Sequence, residues 1–177
     1  RDDGSIDVHD AATGAREGRQ ALGVASPSGL ALANTEGGAE HEIVVVNAST
    51  LHVFRFGTPA ALWTLAGAGG VDVATGRMDA DPAVEIAVAK GTGTAAPVVD
   101  AATRAAQWTN PTGFGNYVDA GDVDGDGRDE LAMVEEWNDY ELWDVDTTTL
   151  KWSGPNFNTS ALRVVDTDGD GRAEVLI

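Results

Sequence analysis

The sequence contains no cysteine, few basic residues and no long apolar run. The absence of cysteine excludes a disulfide-stapled scaffold. No stretch approaches the roughly 20 apolar residues of a membrane-spanning helix, and no charged-then-apolar leader opens the sequence. Its 29 acids against 11 Lys and Arg give a formal net charge of −18, which repels nucleic acid and anionic lipid. We therefore expect no membrane span and no nucleic-acid partner.

Two acidic segments, 122–130 and 166–174, are the most informative feature of the chain. Both carry Asp at the first, third and fifth positions, Gly at the fourth and sixth, and Glu at the ninth. Unpaired charges are costly to bury, so these residues do not form a core. Calcium accepts six to eight oxygens in irregular cages, so each segment is predicted to be a calcium-binding loop. An EF-hand is excluded because Met133 and Ile177 stand where its twelfth-position Glu would be.

The closing glutamates of these segments belong to a longer repeat. Four glutamates, each followed by a β-prone run, stand 43 to 45 residues apart. They are Glu42, Glu85, Glu130 and Glu174. Tryptophans recur with the same period, at Trp63, Trp108 and Trp152. A period of this length is typical of a repeat architecture.

Each repeat is predicted to contain four short strands, A to D. Strand A precedes the acidic loop, strand B follows the closing Glu, strand C ends at an Asp/Thr turn, and strand D leads into the Trp. The predicted A strands are Leu30–Ala33, Val71–Ala74, Val118–Ala120 and Leu162–Val165. Four strands in about 44 residues match a propeller blade. The predicted fold class is all-β: a single β-propeller domain over residues 1–177, with about four repeats of four-stranded antiparallel blades.

The repeat is out of phase with the chain, which opens with strands C and D and ends with strands A and B. The first two strands could complete the last blade in a closed ring of four. Alternatively, a second chain or further blades complete a ring of about eight, within the usual range. The inner strands are rich in Ala and Val, which suits the closer blade packing of a larger ring. The sequence therefore favours a ring larger than one chain, which a homodimer or further blades would complete.

The first acidic segment resembles an FG-GAP repeat of integrin-α-type propellers, and the segments from strand C to the Trp are similar to quinoprotein-like blades. The matching residues are Phe114-Gly115, Val118, Gly121-Asp122, Asp124 to Gly127 and Glu130-Leu131. The resemblance implies that calcium is held by side chains at loop positions one, three, five and nine and by the carbonyl at position seven. In this chain those residues are Asp122, Asp124, Asp126, Arg128 and Glu130, and Asp166, Asp168, Asp170, Arg172 and Glu174. We therefore expect two Ca²⁺ sites and no other cofactor.

The two remaining loops depart from this pattern. In the second repeat Arg77 stands at the first ligand position. Its guanidinium is expected to replace the metal by pairing with Asp79, Asp81 and Glu85. The loop that ends at Glu42 has no acid at its fifth position. Neither loop is therefore expected to bind metal.

No catalytic motif is visible. The sequence has no Gly-x-Ser-x-Gly elbow and no cysteine nucleophile. We interpret the chain as a non-enzymatic, calcium-stabilised propeller that serves as an interaction or adhesion module with a protein or glycan ligand. A secreted location, extracellular or periplasmic, fits because extracellular calcium fills even weak sites. The alternative is a carbohydrate-active propeller, a lectin or polysaccharide lyase domain, since related rings carry such sites.

Overall fold

The computed structural model describes residues 4–134, 139–155 and 160–177, in which the regular structure is antiparallel β-sheet. Three sheets have four strands each and two have two strands. The two-stranded sheets are the N-terminal hairpin, β1 (Ser5–His9) with β2 (Arg16–Ala21), and the C-terminal hairpin, β15 (Arg163–Val165) with β16 (Glu174–Leu176).

The three complete sheets are meanders, in which neighbours in sequence are neighbours in the sheet. Blade 1 contains β3 (Gly29–Ala33), β4 (Glu42–Val46), β5 (Thr50–Phe54) and β6 (Trp63–Ala66). Blade 2 contains β7 (Asp72–Gly76), β8 (Glu85–Ala89), β9 (Ala96–Asp100) and β10 (Ala105–Asn110). Blade 3 contains β11 (Tyr117–Gly121), β12 (Glu130–Val134), β13 (Tyr140–Asp144) and β14 (Thr149–Gly154).

The core of the molecule lies between successive sheets. The second strands, β4, β8 and β12, are buried at every residue. Their sequences after the opening Glu are continuously apolar, as expected for strands that are covered on both faces. In the described residues, one cluster of buried side chains joins blades 1 and 2 and another joins blades 2 and 3. Two further clusters attach the N-terminal hairpin to blade 1 and the C-terminal hairpin to blade 3.

The prediction of four-stranded antiparallel blades with partial blades at both ends is confirmed. Boundaries differ by one or two residues. The first strand of blade 1 begins at Gly29, and that of blade 2 begins at Asp72 and continues to Gly76. The two terminal hairpins are separate sheets, so β1 does not pair beside Val175–Ile177. In the described residues, the two hairpins therefore do not pair to form the fourth blade that would close a ring of four.

Neighbouring blades are also joined by carboxylates on their inner strands. Asp72 Oδ2 of blade 2 accepts the Val118 N–H of blade 3 at 3.3 Å. One unit further along, Asp119 Oδ2 accepts the Val164 N–H of the C-terminal hairpin at 2.8 Å. Burial raises the pKa of Asp72, although hydrogen bonds from the Val73 and Val118 N–H groups oppose the rise. Each such carboxylate satisfies a backbone donor that would otherwise lie unpaired at a blade interface.

Candidate metal centres

The four acidic loops lie along one edge of the stacked sheets. Strands alternate in direction in each meander, so the turns between strands A and B and between strands C and D share an edge. Contacts between these turns confirm the placement. Arg104, in the last turn of blade 2, lies 3.3 Å from Glu36 in the first loop, and Arg128 of blade 3 lies 2.5 Å from Asp146.

The loops 122–130 and 166–174 have the same hydrogen-bond pattern. In both, the first Asp accepts the N–H groups of the fourth and sixth residues, at 2.7 and 2.8 Å in one loop and 2.6 and 3.0 Å in the other. The four glycines at these positions have φ between 79° and 89°, which residues with a Cβ rarely adopt. The closing Glu accepts the N–H of the second residue through its Oε2. The chain therefore curls around its own carboxylates in both loops.

This curl brings three of the four predicted acidic side chains together in each loop. Carboxylate oxygens of the first, third and ninth residues lie within 4.8 Å of one another. The two groups are Asp122, Asp124 and Glu130, and Asp166, Asp168 and Glu174. Asp126 and Asp170, at the fifth position, stand outside these groups and accept the N–H groups of Arg128 and Arg172 at 2.9 Å. Clustered hard oxygen ligands fit a calcium ion.

Lys151 lies against the first of these groups. Its ammonium Nζ is 2.5 Å from Asp124 Oδ2 and 2.7 Å from Glu130 Oε1. Burial lowers the pKa of Lys151, but the two hydrogen bonds outweigh it and the pKa is raised, so the side chain stays charged. Lys151 reaches the loop from a β-bulge in β14, between Leu150 and Trp152. Sequence reasoning missed this residue, and its place one residue before the repeating Trp was the available signal.

The loop of blade 1 is neutralised by arginines. Glu42 Oε1 accepts Arg55 Nη2 at 2.9 Å, and its Oε2 accepts the Thr35 N–H at 3.0 Å. Burial would raise the pKa of Glu42, but the bonds from Arg55 and Thr35 outweigh it and the pKa is lowered. Glu36 accepts Trp63 Nε1 at 2.9 Å and pairs with Arg104 of blade 2. The acids of this loop therefore have cationic partners within the chain.

The prediction for Arg77 in blade 2 is wrong. Its backbone N–H donates to Asp129 Oδ2 of blade 3 at 2.8 Å, and its carbonyl accepts the Asp129 N–H at 2.7 Å. Among the described residues, Arg77 forms no ion pair with Asp79, Asp81 or Glu85. The contacts recorded for Arg77 are those of its backbone, which Asp129, an acid of the next blade, fixes through these two hydrogen bonds.

Glu85, the closing residue of that loop, has one carboxylate oxygen without a partner. The side chain is wholly buried, and its Oε2 accepts the Met78 N–H at 2.6 Å. Its Oε1 is buried and has no hydrogen-bond partner. Burial raises the pKa of Glu85 to about 7, and the charges of Asp79 and Asp81 add to the rise. Oxygens of these three acids lie within 4.8 Å of one another.

The repeating tryptophans lie on the last strand of each blade and are buried to different degrees. Trp63 is buried, whereas Trp108 packs against Phe114 and Trp143 with ring centroids 5.3 and 5.2 Å away. Trp152 is 40% exposed and lies edge-on against a tyrosine ring. The tryptophans therefore serve mainly to close the outer side of the blades.

Stacked four-stranded meanders with loops along one edge define a β-propeller, and comparison with solved structures supports this fold. The chain is similar to BamB from Moraxella catarrhalis, with a TM-score of 0.58 and 19% identity over 93% of this chain. It is also similar to hydrazine synthase from Kuenenia stuttgartiensis (TM-score 0.61, 16% identity, 92% of this chain) and to Sqt1 from Saccharomyces cerevisiae (0.67, 12%, 98%). The predicted β-propeller fold is confirmed.

The chain spans about half the length of these structures, covering 47%, 46% and 56% of them respectively. No protein-family model matches the sequence, and no curated protein matches it. At such low identities the likeness concerns the fold alone. In the part of the chain that the structure describes, no helix is long and apolar enough to cross a membrane.

Proposed function

We propose that this chain is a non-enzymatic propeller module of the FG-GAP type, stabilised by two calcium ions and used for interaction with another protein. The observation that carries the proposal is the matched geometry of the loops 122–130 and 166–174. Two segments separated by a full repeat fold the same way and converge three carboxylates each. Repeated convergence of like charges is unfavourable unless a cation compensates it.

The ligands proposed for the first ion are Asp122, Asp124 and Glu130, with Asp126 and the Arg128 carbonyl closing the cage. Those for the second ion are the equivalent residues Asp166, Asp168 and Glu174, with Asp170 and the Arg172 carbonyl. The ion supplies positive charge at the point where strand A ends and strand B begins, and so ties the two strands together. In the first loop Lys151 competes for the same oxygens, and its partly exposed side chain can move into solvent.

Stabilisation by calcium favours a location outside the cytoplasm. The formal net charge is −18, and two bound ions would return four positive charges. Loops of modest affinity fill at the millimolar calcium of extracellular fluids. We therefore propose that the protein is secreted, either extracellular or periplasmic.

The partner proposed for the two ends of the stack is a second copy of the chain, which would complete a larger ring. The C-terminal hairpin consists of strands of the A and B type, and the N-terminal hairpin of strands of the C and D type. Both ends expose apolar side chains, Leu30 and Leu32 at one end and Leu176 at the other. Light scattering at micromolar concentration tests this proposal, and a compact monomer would contradict it.

Calcium-dependent stability tests the main proposal. A ligand that binds only the folded state contributes about 2.7 kcal/mol per site at one hundred times its dissociation constant. We expect urea unfolding to shift to higher denaturant when calcium replaces chelator. Asp168→Ala should lose the part of that shift that one ion contributes, whereas Glu17→Gln, an exposed acid outside the loops, should keep all of it. An identical midpoint in calcium and in chelator would refute the proposal.

A further inference from the structure

We propose that the loop of blade 2 is a third cation site, in which Asp79, Asp81 and Glu85 hold a divalent ion such as calcium. Three carboxylates by themselves do not make a site. The second observation is Glu85 Oε1, which is wholly buried and lacks a hydrogen-bond partner. A buried carboxylate oxygen without a partner carries a desolvation cost that a bound cation removes.

The equivalent oxygen has a cationic partner in the two other complete blades. In all three blades the closing Glu uses Oε2 to accept the N–H of the residue seven positions earlier. Its Oε1 then accepts Arg55 in blade 1 at 2.9 Å and Lys151 in blade 3 at 2.7 Å. The fold therefore places a positive group beside this oxygen, and blade 2 is the exception.

The residues of blade 2 at the partner positions explain the exception. Asp100 of β9 pairs in register with Glu85 of β8. In blade 1 the register of β4 and β5 puts Arg55 at the equivalent position, opposite Glu42. Gln107 occupies the bulge between Ala106 and Trp108, as Lys151 does in blade 3. One position thus offers another negative charge and the other a neutral amide. A cation at this oxygen would therefore come from outside the chain.

A small ion fits this place better than a basic side chain of a partner protein. Glu85 is 0% exposed, so a long side chain would have to open the blade to reach it. A cleft of about 220 Å³ leads to the loop between blades 2 and 3, and Asp79, Gln107 and Asp146 are among its lining residues. Asp81 at the rim is exposed, so the site combines a buried and a solvent-facing ligand. Hard carboxylate oxygens at this spacing favour calcium.

Equilibrium dialysis of the metal-free protein against millimolar calcium tests the third site. The test variant is Asp81→Ala, which removes the ligand oxygens and leaves the Ala83 N–H, bonded to Asp81 at 2.7 Å, to solvent at this exposed position. The matched control is Glu17→Gln. We expect three bound ions in the wild type and in the control, and two in Asp81→Ala. Equal ion counts in Asp81→Ala and the wild type would overturn the inference.

A second background separates this inference from the proposed function. In Asp124→Ala/Asp168→Ala, which removes a ligand from each of the other loops, one ion should remain and should be lost when Asp81→Ala is added. If the other loops bind no calcium, the wild type and this double variant should both bind one ion. A folded double variant, verified by circular dichroism, that binds no calcium would refute the third site.

Discussion

Replacing Glu85 by Gln should stabilise the metal-free protein at neutral pH. The glutamate is wholly buried, and burial raises its pKa from about 4.5 to about 7. As pH rises above 4.5 the unfolded chain loses this proton, while the folded protein keeps it until about pH 7. Stability due to this group is therefore present below pH 4.5 and is lost as pH rises towards 7. The glutamine side chain of the variant does not ionise, so the variant does not lose this stability as pH rises.

The magnitude follows from the pKa difference. At about 1.4 kcal/mol per pH unit, a shift from 4.5 to about 7 corresponds to roughly 3 kcal/mol. The unfolding free energy of Glu85→Gln minus that of the wild type should therefore grow by about 3 kcal/mol between pH 4.5 and pH 8. The difference between the two proteins cancels the titration of the other acids. Urea unfolding in metal-free buffer, followed by tryptophan fluorescence, measures it.

Glu42→Gln is the matched control, since Glu42 closes the loop of blade 1 in the same way. The pKa of Glu42 is lowered overall, because the bonds from Arg55 and Thr35 outweigh its burial. Its stabilisation is present above the unfolded pKa and is lost only as pH falls through the folded one. Glu42→Gln should therefore be destabilised by a constant amount between pH 6 and 8. A flat difference for Glu85→Gln over its own range would refute the reasoning about the buried oxygen.

Three further predictions concern the ions and the blade interfaces. Calcium should raise the melting temperature more than magnesium, which demands a regular octahedron and keeps its waters; equal shifts in circular dichroism melts would argue for simple screening. Lys151→Met should raise the calcium affinity of the loop 122–130 several-fold, because it removes a competing charge. Calorimetry in an Asp168→Ala background measures this affinity, and an unchanged value would show that Lys151 does not compete with the ion. Asp119→Ala should lower the unfolding free energy by about 1–3 kcal/mol, because it leaves the Val164 N–H unpaired, whereas Asp119→Asn keeps an acceptor and should lose less in urea unfolding.

Most of the fold could be predicted from the sequence because its signals are local and repeated. The closing glutamates and the apolar runs behind them recur every 43 to 45 residues and mark the buried second strands. The acidic loops could be predicted for the same reason. An Asp that caps N–H groups three and five residues later, with glycines at those positions, is defined within one short segment.

The partners of the closing glutamates could not be predicted in this way. Lys151 reaches Glu130 across 21 residues and only because a bulge turns it towards the loop. Arg77 is fixed by Asp129, 52 residues away on the next blade. A basic residue at a ligand position suggested an internal salt bridge, but the choice of partner depended on the stacking of blades. No local pattern encodes that stacking.

The carboxylates that cross from blade to blade make the molecule a linear stack in which each unit depends on its neighbours. Asp72 and Asp119 each bond a backbone N–H of the following unit, and each core cluster lies between two units. Such a stack behaves as a chain of nearest-neighbour couplings. Each terminal hairpin packs on one neighbour, whereas blade 2 packs on two and its strands β8 and β9 are wholly buried. Opening therefore begins at the hairpins and moves inward, and the amides of β8 and β9 are the last to exchange with solvent.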